Sequence, residues 1–354
     1  MGIEYRKNNS ILVFKLFRIS LLIIGIALAV VVNGQPKKWK NKKHFTIVSY
    51  NVENLFDTIN DPSINDNEFS PDSEKEYNTM KYHEKLKNLS TVIHSINSNE
   101  FPEIVGLVEV ENRTVLVDLV NTPTLKAANY QVILEEGPDP RGIDCGLLYR
   151  PDVFKYISHK AIEVRYTDSN RRTRDILYVK GLVKKDTLHL FVNHWTSRRE
   201  GIEKSEPKRM ACANVLKQNV DSLLHSNSKA NIILMGDFND DPSNKSIYEG
   251  LDAGKKEDNK SLVNLVFELN AQHKGSYYYN GKFEMIDHLI VNPELTTKSK
   301  GFRLFETGAW IYNAEFICFT QKNGDKAPSK SFGGNKYYGG YSDHFPVYTI
   351  FYEK

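Results

Sequence analysis

Residues 231–242, NIILMGDFNDDP, decide how this chain is read. The apolar residues Ile232 to Met235 run straight into Gly236 and Asp237, and the polar cluster closes on Pro242. An apolar run of about five residues bounded by Gly, Pro and Asp is the pattern of a buried strand whose end meets a turn. A strand end is where a rigid scaffold holds side chains at fixed separations, and this one presents Asp237 and Asn239. A second string, YSDHFP at 341–346, places Asp343 and His344 just ahead of another such run, Val347-Tyr-Thr-Ile-Phe.

Outward from these two strings, the chain predicts many strands and few helices. Strand-like runs occupy 45–50, 104–109, 130–135, 144–149, 161–166, 176–183 and 187–193, with later ones near 276–279, 285–291 and 346–352. Helical spacing occurs at 77–96, where Met80, Leu86, Leu89, Val92, Ile93 and Ile96 share one face, and again at 114–120 and 207–224. So few helices leave several strand pairs without the crossover helix a doubly wound sheet needs. They predict sheet packed on sheet with helices outside. Residues 57–76 are acidic and rich in Asn, Pro and Ser, the composition of a long solvated loop.

The 354 residues are 40% hydrophobic and 26% charged, which suits one large globular domain. The N-terminus departs from this composition. Arg6, Lys7, Lys15 and Arg18 precede the apolar run Ile19 to Val32, with Asn33-Gly34-Gln35 at its exit. A basic region, a short apolar region and small residues at the exit form the pattern of a secretory signal. The run is shorter than the roughly 20 apolar residues of a spanning helix. Residues 1–34 are therefore read as a signal peptide, 35–43 as a basic linker and 44–354 as the folded domain. A secreted or periplasmic location follows, with no stable membrane anchor after cleavage. Taking the leader's four basic and one acidic side chains from totals of 47 and 44 leaves 43 of each, so bulk charge names no polyanionic partner. Three cysteines, Cys145, Cys212 and Cys318, cannot all pair within one chain, and Cys145 and Cys318 sit in apolar runs as small hydrophobes would.

Collected in order, the polar groups at strand ends are Asn51, Glu109, Asn193 with His194, Asp237 with Asn239, Asp287 with His288, and Asp343 with His344. Carboxylate and amide oxygens without thiolates suit a hard divalent ion, Mg²⁺ or Mn²⁺, with Ca²⁺ as a further candidate. The histidines add groups that move or clamp charge near neutral pH. There is no serine elbow and no glycine-rich phosphate loop, so direct attack by water is the simplest chemistry.

In these strings the chain resembles the endonuclease/exonuclease/phosphatase superfamily over residues 44–352. SYNVENLF carries Asn51, PEIVGLVEVEN carries Glu109, VNHW carries His194, GDFN carries Asp237 and Asn239, IDHLIVNP carries Asp287, and SDHFPV carries Asp343 and His344. No one string is decisive, whereas six in family order are specific. The resemblance implies an α/β fold, a four-layer α-β-β-α sandwich of two packed mixed β-sheets. It implies that Glu109 is the main metal ligand, with Asn51 and Asp343 completing the set. Asp287 would orient His344, Asp237 and Asn239 would position water and the scissile phosphate, and His194 would clamp a non-bridging oxygen. Whether Asp237 or His344 takes the water's proton stays open.

Three further groups are expected on the substrate side. Asp144 opens a strand where an apolar residue is the norm, and it is expected to pair with His194 as Asp287 does with His344. Asn193 neighbours His194, and Arg174 offers a bidentate guanidinium to phosphate, its direction fixed by Asp175. Arg171, Arg172 and Arg198 are read as solvated, His288 as structural, and Glu53, Glu111 and Asp240 as surface or turn residues. The expected activity is that of a secreted, metal-dependent, nuclease-like phosphodiesterase working as a monomer on nucleic acid. A phospholipid or sugar-phosphate phosphatase is the alternative enzyme, and a non-catalytic binding module ranks below both.

Overall fold

A computed structural model describes residues 44–166, 172–297, 301–305 and 308–352. The leader, the linker and Arg171 lie outside the described residues.

Eight strands open the domain: β1 His44–Leu55, β2 Ile104–Val110, β3 Gln131–Leu134, β4 Asp144–Tyr149, β5 Lys155–Ile162, β6 Ile176–Val183, β7 Asp186–His194 and β8 Asn231–Asp237. One seven-stranded sheet runs in the order Arg303–Leu304, Val347–Tyr352, β1, β2, β4, β3, with Trp310–Ile311 also paired to Val347–Tyr352. The other runs β5, β6, β7, β8, Asp287–Val291, Leu262–Asn264, Ala253–Gly254. Both are mixed: β1 lies parallel to β2 and antiparallel to Val347–Tyr352. Likewise β7 lies parallel to β8, and β8 antiparallel to Asp287–Val291.

The period of two along each strand sorts its side chains into different cores. On β8, Ile233 and Met235 join Ile47, Val108, Leu147, Val192 and Leu289 between the sheets. The alternate residues Ile232 and Leu234 face Cys212, Leu216 and Val220 of the helix Ile202–Ser226. On the far side, Val48, Tyr50, Val105 and Leu107 pack against Leu86, Leu89, Val92 and Ile93 of the helix Thr79–Ile96. Two sheets with helices on both outer faces give the four-layer α-β-β-α sandwich. Burial on both faces explains why these strands read as unbroken apolar runs.

Some expectations change. Met80 is 70% exposed, and Tyr82 and Lys85 take the buried face beside Leu86 and Leu89. The strand expected at 161–166 is β5 at 155–162, an edge strand whose residues are mostly exposed and so carry no apolar alternation. The loop 57–76 is not solvated throughout, since Phe69 stacks on Phe56 with ring centroids 4.3 Å apart and Asp66 is buried. Cys145, Cys212 and Cys318 are all free thiols, the first two buried.

Candidate active site

Adjacent strands of both sheets bring the acids and imidazoles to one end of the sandwich. In the second sheet, His194 pairs in register with Asp237, and Asp237 with Asp287. Gly236 permits this closeness: its φ is +130°, and a Cβ there would sit 1.9 Å from the Asn193 carbonyl oxygen. In the first sheet, β1 and β2 lose register just where the site begins, with Glu53 and Asn54 of β1 and Glu109 of β2 at positive φ. Such bulges re-aim side chains, and here Glu109 Oε2 accepts from Asn54 N at 2.9 Å.

The Asn51 amide bridges the two sheets, donating to Glu109 Oε1 at 3.3 Å and to Asp237 Oδ2 at 3.1 Å. His194 Nε2 lies 3.8 Å from Glu109 Oε1 and 3.9 Å from Asp237 Oδ2. Opposite it, His344 Nε2 is 3.9 Å from both Asp237 Oδ2 and Asp343 Oδ1. The other nitrogen, His344 Nδ1, is 2.6 Å from Asp287 Oδ2, which also accepts from Ser276 Oγ at 2.6 Å. The Tyr277 ring covers the His344 ring at 4.7 Å between centroids. Asn239, at φ +52°, donates from N to Asp237 Oδ1 at 2.8 Å. A cavity of about 760 Å³ opens over these groups, walled also by Arg141, Arg198, Arg199, Ile202 and Tyr279.

Environment separates the two imidazoles. Burial alone would depress His344, but the Asp287 charge and hydrogen bond, with Asp343 and Asp237 nearby, hold it well above its ordinary value. His194 is driven the other way, by burial and then by the charges of Arg174 and Arg141, and its Nδ1 has no partner. Burial, reinforced by Asp287, raises the Asp237 carboxyl to about 7, and burial with Glu53 raises Asp343 to about 7.

Oxygen donors crowded so that their ionisation is opposed fit a hard divalent cation, whose charge would relieve that opposition. The sequence resemblance assigns it to Glu109, Asn51 and Asp343. Asn51 Oδ1 accepts from Glu53 N at 3.0 Å and keeps a second lone pair. The tightest cluster of acids and histidine among the described residues is Asp237, Asp287 and His344. Its shortest link is the Asp287–His344 hydrogen bond at 2.6 Å, which already engages one oxygen and one nitrogen of the group.

The three substrate-side expectations fall away from this cluster. Asp144 does not pair with His194: its Oδ1 accepts from Gly137 N at 2.9 Å, bracing the loop ahead of β4, while His194 Nδ1 stays unpaired. Asn193 points inward, by strand alternation, and bonds the Phe191 and Met235 carbonyls and Trp195 Nε1. Arg174 reaches the cleft wall, but its guanidinium is committed to the His194 and Trp195 carbonyls and to Asp139 at 2.6 Å, not Asp175.

Other readings also shift. Arg198 lines the cleft, ion-paired with Glu284 and 3.6 Å from Asp241, whereas Arg172 is exposed beside Asp175. Asp240 sits in the bend after β8 but is no surface residue, being half of a buried pair with Arg209 at 2.6 Å. Glu111 is buried and accepts from Asp57 N, and Glu53 is buried against the 331–332 backbone. His288 is structural, bonding Asn264 and the Asp240 and Met285 carbonyls. Arg141, Tyr277 and Tyr279 join the cleft without having been singled out by sequence; the alternation of Tyr277 and Tyr279 just after Ser276 is the available signal for the aromatic wall.

The sequence profile of the Endonuclease/Exonuclease/phosphatase family matches residues 46–354. The chain belongs to that family. Members of the endonuclease/exonuclease/phosphatase family are metal-dependent phosphoesterases and nucleases, and the oxygen-donor floor described above fits that chemistry. Comparison with the curated proteins finds no match. Among solved structures, D. rerio TDP2 complexed with a single-strand DNA product is 15% identical, with 87% of this chain and 98% of that one covered at a TM-score of 0.55. The human Nocturnin catalytic domain with bound sulfate is 15% identical, covering 88% and 95% at 0.54. TDP2 from C. elegans is 14% identical, covering 89% and 78% at 0.54. At these identities the likeness shows the shared sandwich.

Burial of carboxyls gives the fold a pH dependence with a definite sign. Glu103 and Asp144 are raised to about 7 and Glu111 to about 8, in each case by burial first. The folded state therefore binds more protons than the unfolded chain, and stability falls as pH rises toward those values. Cationic His344 acts in the same direction, because its stabilisation is lost as pH climbs through its raised value. Buried His189 and His288, both lowered to about 4, act oppositely but only below their ordinary value of 6.5. From pH 6.5 to 8 the ion-free protein should lose on the order of 5 °C in Tm. Mn²⁺ added at pH 8 should recover part of the loss. Differential scanning calorimetry with EDTA or Mn²⁺ checks both, and a Tm that rises over this interval would contradict the assignment.

Proposed function

We propose that this chain is an exported, divalent-cation-dependent hydrolase of phosphodiester bonds in nucleic acid, with residues 1–34 as its leader. The observation that carries the reading is Asp287 bonded to His344 Nδ1, with His344 Nε2 facing Asp237 beside the Asn51–Glu109 pair. Asp237, held by Asn51 and Asn239 and poised near neutrality, takes the proton of the attacking water. The Asp287 charge, which raises His344 well above its ordinary value, supports Asp237 over His344 for this role. His344 keeps its Nδ1 proton on Asp287 and donates from Nε2 to a phosphoryl oxygen. Neutral His194 donates from its cleft-facing Nε2 to a non-bridging oxygen, and Asn239 orients the phosphate from the opposite side. Glu109, Asn51 and Asp343 would hold a divalent cation, which when bound would supply positive charge where oxygen charge develops.

Two features favour nucleic acid over a phospholipid or sugar phosphate. Tyr277 and Tyr279 stack at 6.2 Å and 13°, with Tyr279 over half exposed at the cleft mouth, a surface suited to a base. Arg141 and Arg199 line the same cleft and suit flanking phosphates. The solved relative with a single-strand DNA product is consistent with this choice. Activity on plasmid DNA, RNA, sphingomyelin and bis-nitrophenyl phosphate, each with Mg²⁺ or EDTA, tests it. Cation-dependent cleavage of nucleic acid is expected, and inactivity on every diester would end the proposal.

Asp287→Asn removes the charge that holds His344 protonated. kcat should fall by about 100-fold, and the alkaline limb of its pH profile should move to lower pH. An unmoved limb would uncouple the two residues.

A further inference from the structure

The segment that carries Asp343 and His344 has little regular structure to hold it. Between Lys326–Pro328 and Val347–Tyr352 it contains the two-residue strands Phe332–Gly333 and Lys336–Tyr337 and, at His344, a single bridge to Tyr277. Two buried charges from distant parts of the chain anchor it instead. Lys85, 3% exposed on the helix Thr79–Ile96, donates from Nζ to Ser331 Oγ at 2.7 Å and to the Tyr341 carbonyl at 2.8 Å. Glu53, 8% exposed on the β1 bulge, accepts from Ser331 N at 2.6 Å and Phe332 N at 3.1 Å. Lys85 Nζ and Glu53 Oε2 lie 3.6 Å apart.

The same network reaches Asn51 from two sides. Glu53 N donates to Asn51 Oδ1 at 3.0 Å, and Ser342 Oγ donates to the Asn51 carbonyl at 2.7 Å. A continuous path therefore runs from Asn51 through Glu53 and Lys85 to Tyr341, two residues before Asp343. Buried ion pairs are weak contributors to stability, and apolar pairs of similar volume often serve a fold as well or better. An apolar pair could not, however, hold two backbone N–H groups at one end of a loop and a carbonyl at its other end.

We propose that Lys85 and Glu53 are positioning residues that fix the spacing between Asn51 and Asp343 and so set the site's affinity for a divalent cation. The proposal rests on the reading of Asn51, Glu109 and Asp343 as the residues that hold the ion. Neither Lys85 nor Glu53 lines the cleft, so both act through the groups they hold. Asn88, which donates to the Gly339 and Gly340 carbonyls, and Glu84, which accepts from Tyr337 Oη, fasten the same loop to the helix by separate bonds. The loop thus stays attached when the ion pair is removed, while its exact seat is lost.

The test is Mn²⁺ titration by calorimetry of the full chain, wild type against Lys85→Met and Glu53→Gln, with melting in EDTA and kcat on bis-nitrophenyl phosphate at saturating Mn²⁺. Each variant should bind Mn²⁺ about tenfold or more weakly. Melting should stay a single transition, and kcat at saturating ion should return to within about threefold of wild type. Glu53 takes the two N–H groups on different oxygens, so Glu53→Gln keeps an acceptor for only one of Ser331 N and Phe332 N; removing the charge while leaving the loop partly held, it decides the matter should Lys85→Met fail to fold. Wild-type Mn²⁺ affinity in a folded variant overturns the proposal, as does a lost kcat with affinity intact. A wild-type protein that binds no Mn²⁺ would sink the reading of the site itself, and this proposal with it.

Discussion

Asp237→Asn is expected to lower kcat by about a thousandfold or more, equivalent to roughly 4 kcal/mol of transition-state stabilisation. The geometry leaves few alternatives to Asp237 as proton acceptor. Its Oδ2 is within 4 Å of both imidazoles, while His344 is held cationic by Asp287 and burial lowers the basicity of His194. The Asp237 carboxyl is buried beside Asp287, so the neutral amide removes a repulsion and keeps an acceptor for Asn239 N, while it gives up the bond that Oδ2 accepts from Asn51 Nδ2. These changes oppose each other, so the variant should melt close to wild type, which separates lost chemistry from lost fold. Steady-state kinetics on bis-nitrophenyl phosphate beside a melting curve decides it. A kcat within tenfold of wild type would remove Asp237 from proton transfer.

Gly236→Ala, one residue earlier, should do the reverse and damage the fold before the chemistry can be measured. The added Cβ would lie 1.9 Å from the Asn193 carbonyl oxygen and 2.8 Å from its nitrogen, and φ is +130°. The neighbour is backbone of the central strand β7, bonded on both sides by β6 and β8, so it cannot step aside. A loss of about 4 kcal/mol or more is expected. Gly281→Ala provides the comparison, because its φ of +79° is also left-handed but nothing lies within 4 Å of the new methyl. That variant should lose only about 1 kcal/mol, the backbone term alone. Equal melting temperatures for the two alanine variants would show that the close approach of β7 and β8 has no energetic consequence.

The legible parts of the sequence are those in which local pattern and tertiary environment agree. Strands buried on both faces, such as β2, β4 and β8, announce themselves as apolar runs with turn residues at their ends, and their limits are readable to within a residue. Asn51, Glu109, His194, Asp237, Asn239, Asp287, Asp343 and His344 stand at such ends, and the fold brings them to one cleft. What a string cannot disclose is where a side chain is used once it arrives. Asp144 and Asn193 sit on strands that lead to the site and Arg174 just ahead of β6, yet the first two are taken up by backbone groups around them and Arg174 by two carbonyls and Asp139. Glu53 and Lys85 escape a reading of the string because an acid in a turn-like stretch and a lysine in a helix are ordinarily solvated. Lys85 does carry a signal: it falls three residues after Tyr82 and four before Leu89, on the apolar stripe, where a charge requires a buried partner.

The pairing of β1 with the last strand has a practical meaning. His44 lies opposite Tyr352, whereas Ser49 and Val347, toward the other end of the ladder, approach the cleft. Seven residue steps along β1 separate His44 from Asn51, about 23 Å at strand rise. The first and last described residues thus meet at the pole farthest from the cleft. A fusion partner or an immobilising tag joined at either one would leave the mouth open to a long polymer, and a short linker between them would suffice for a circular permutant.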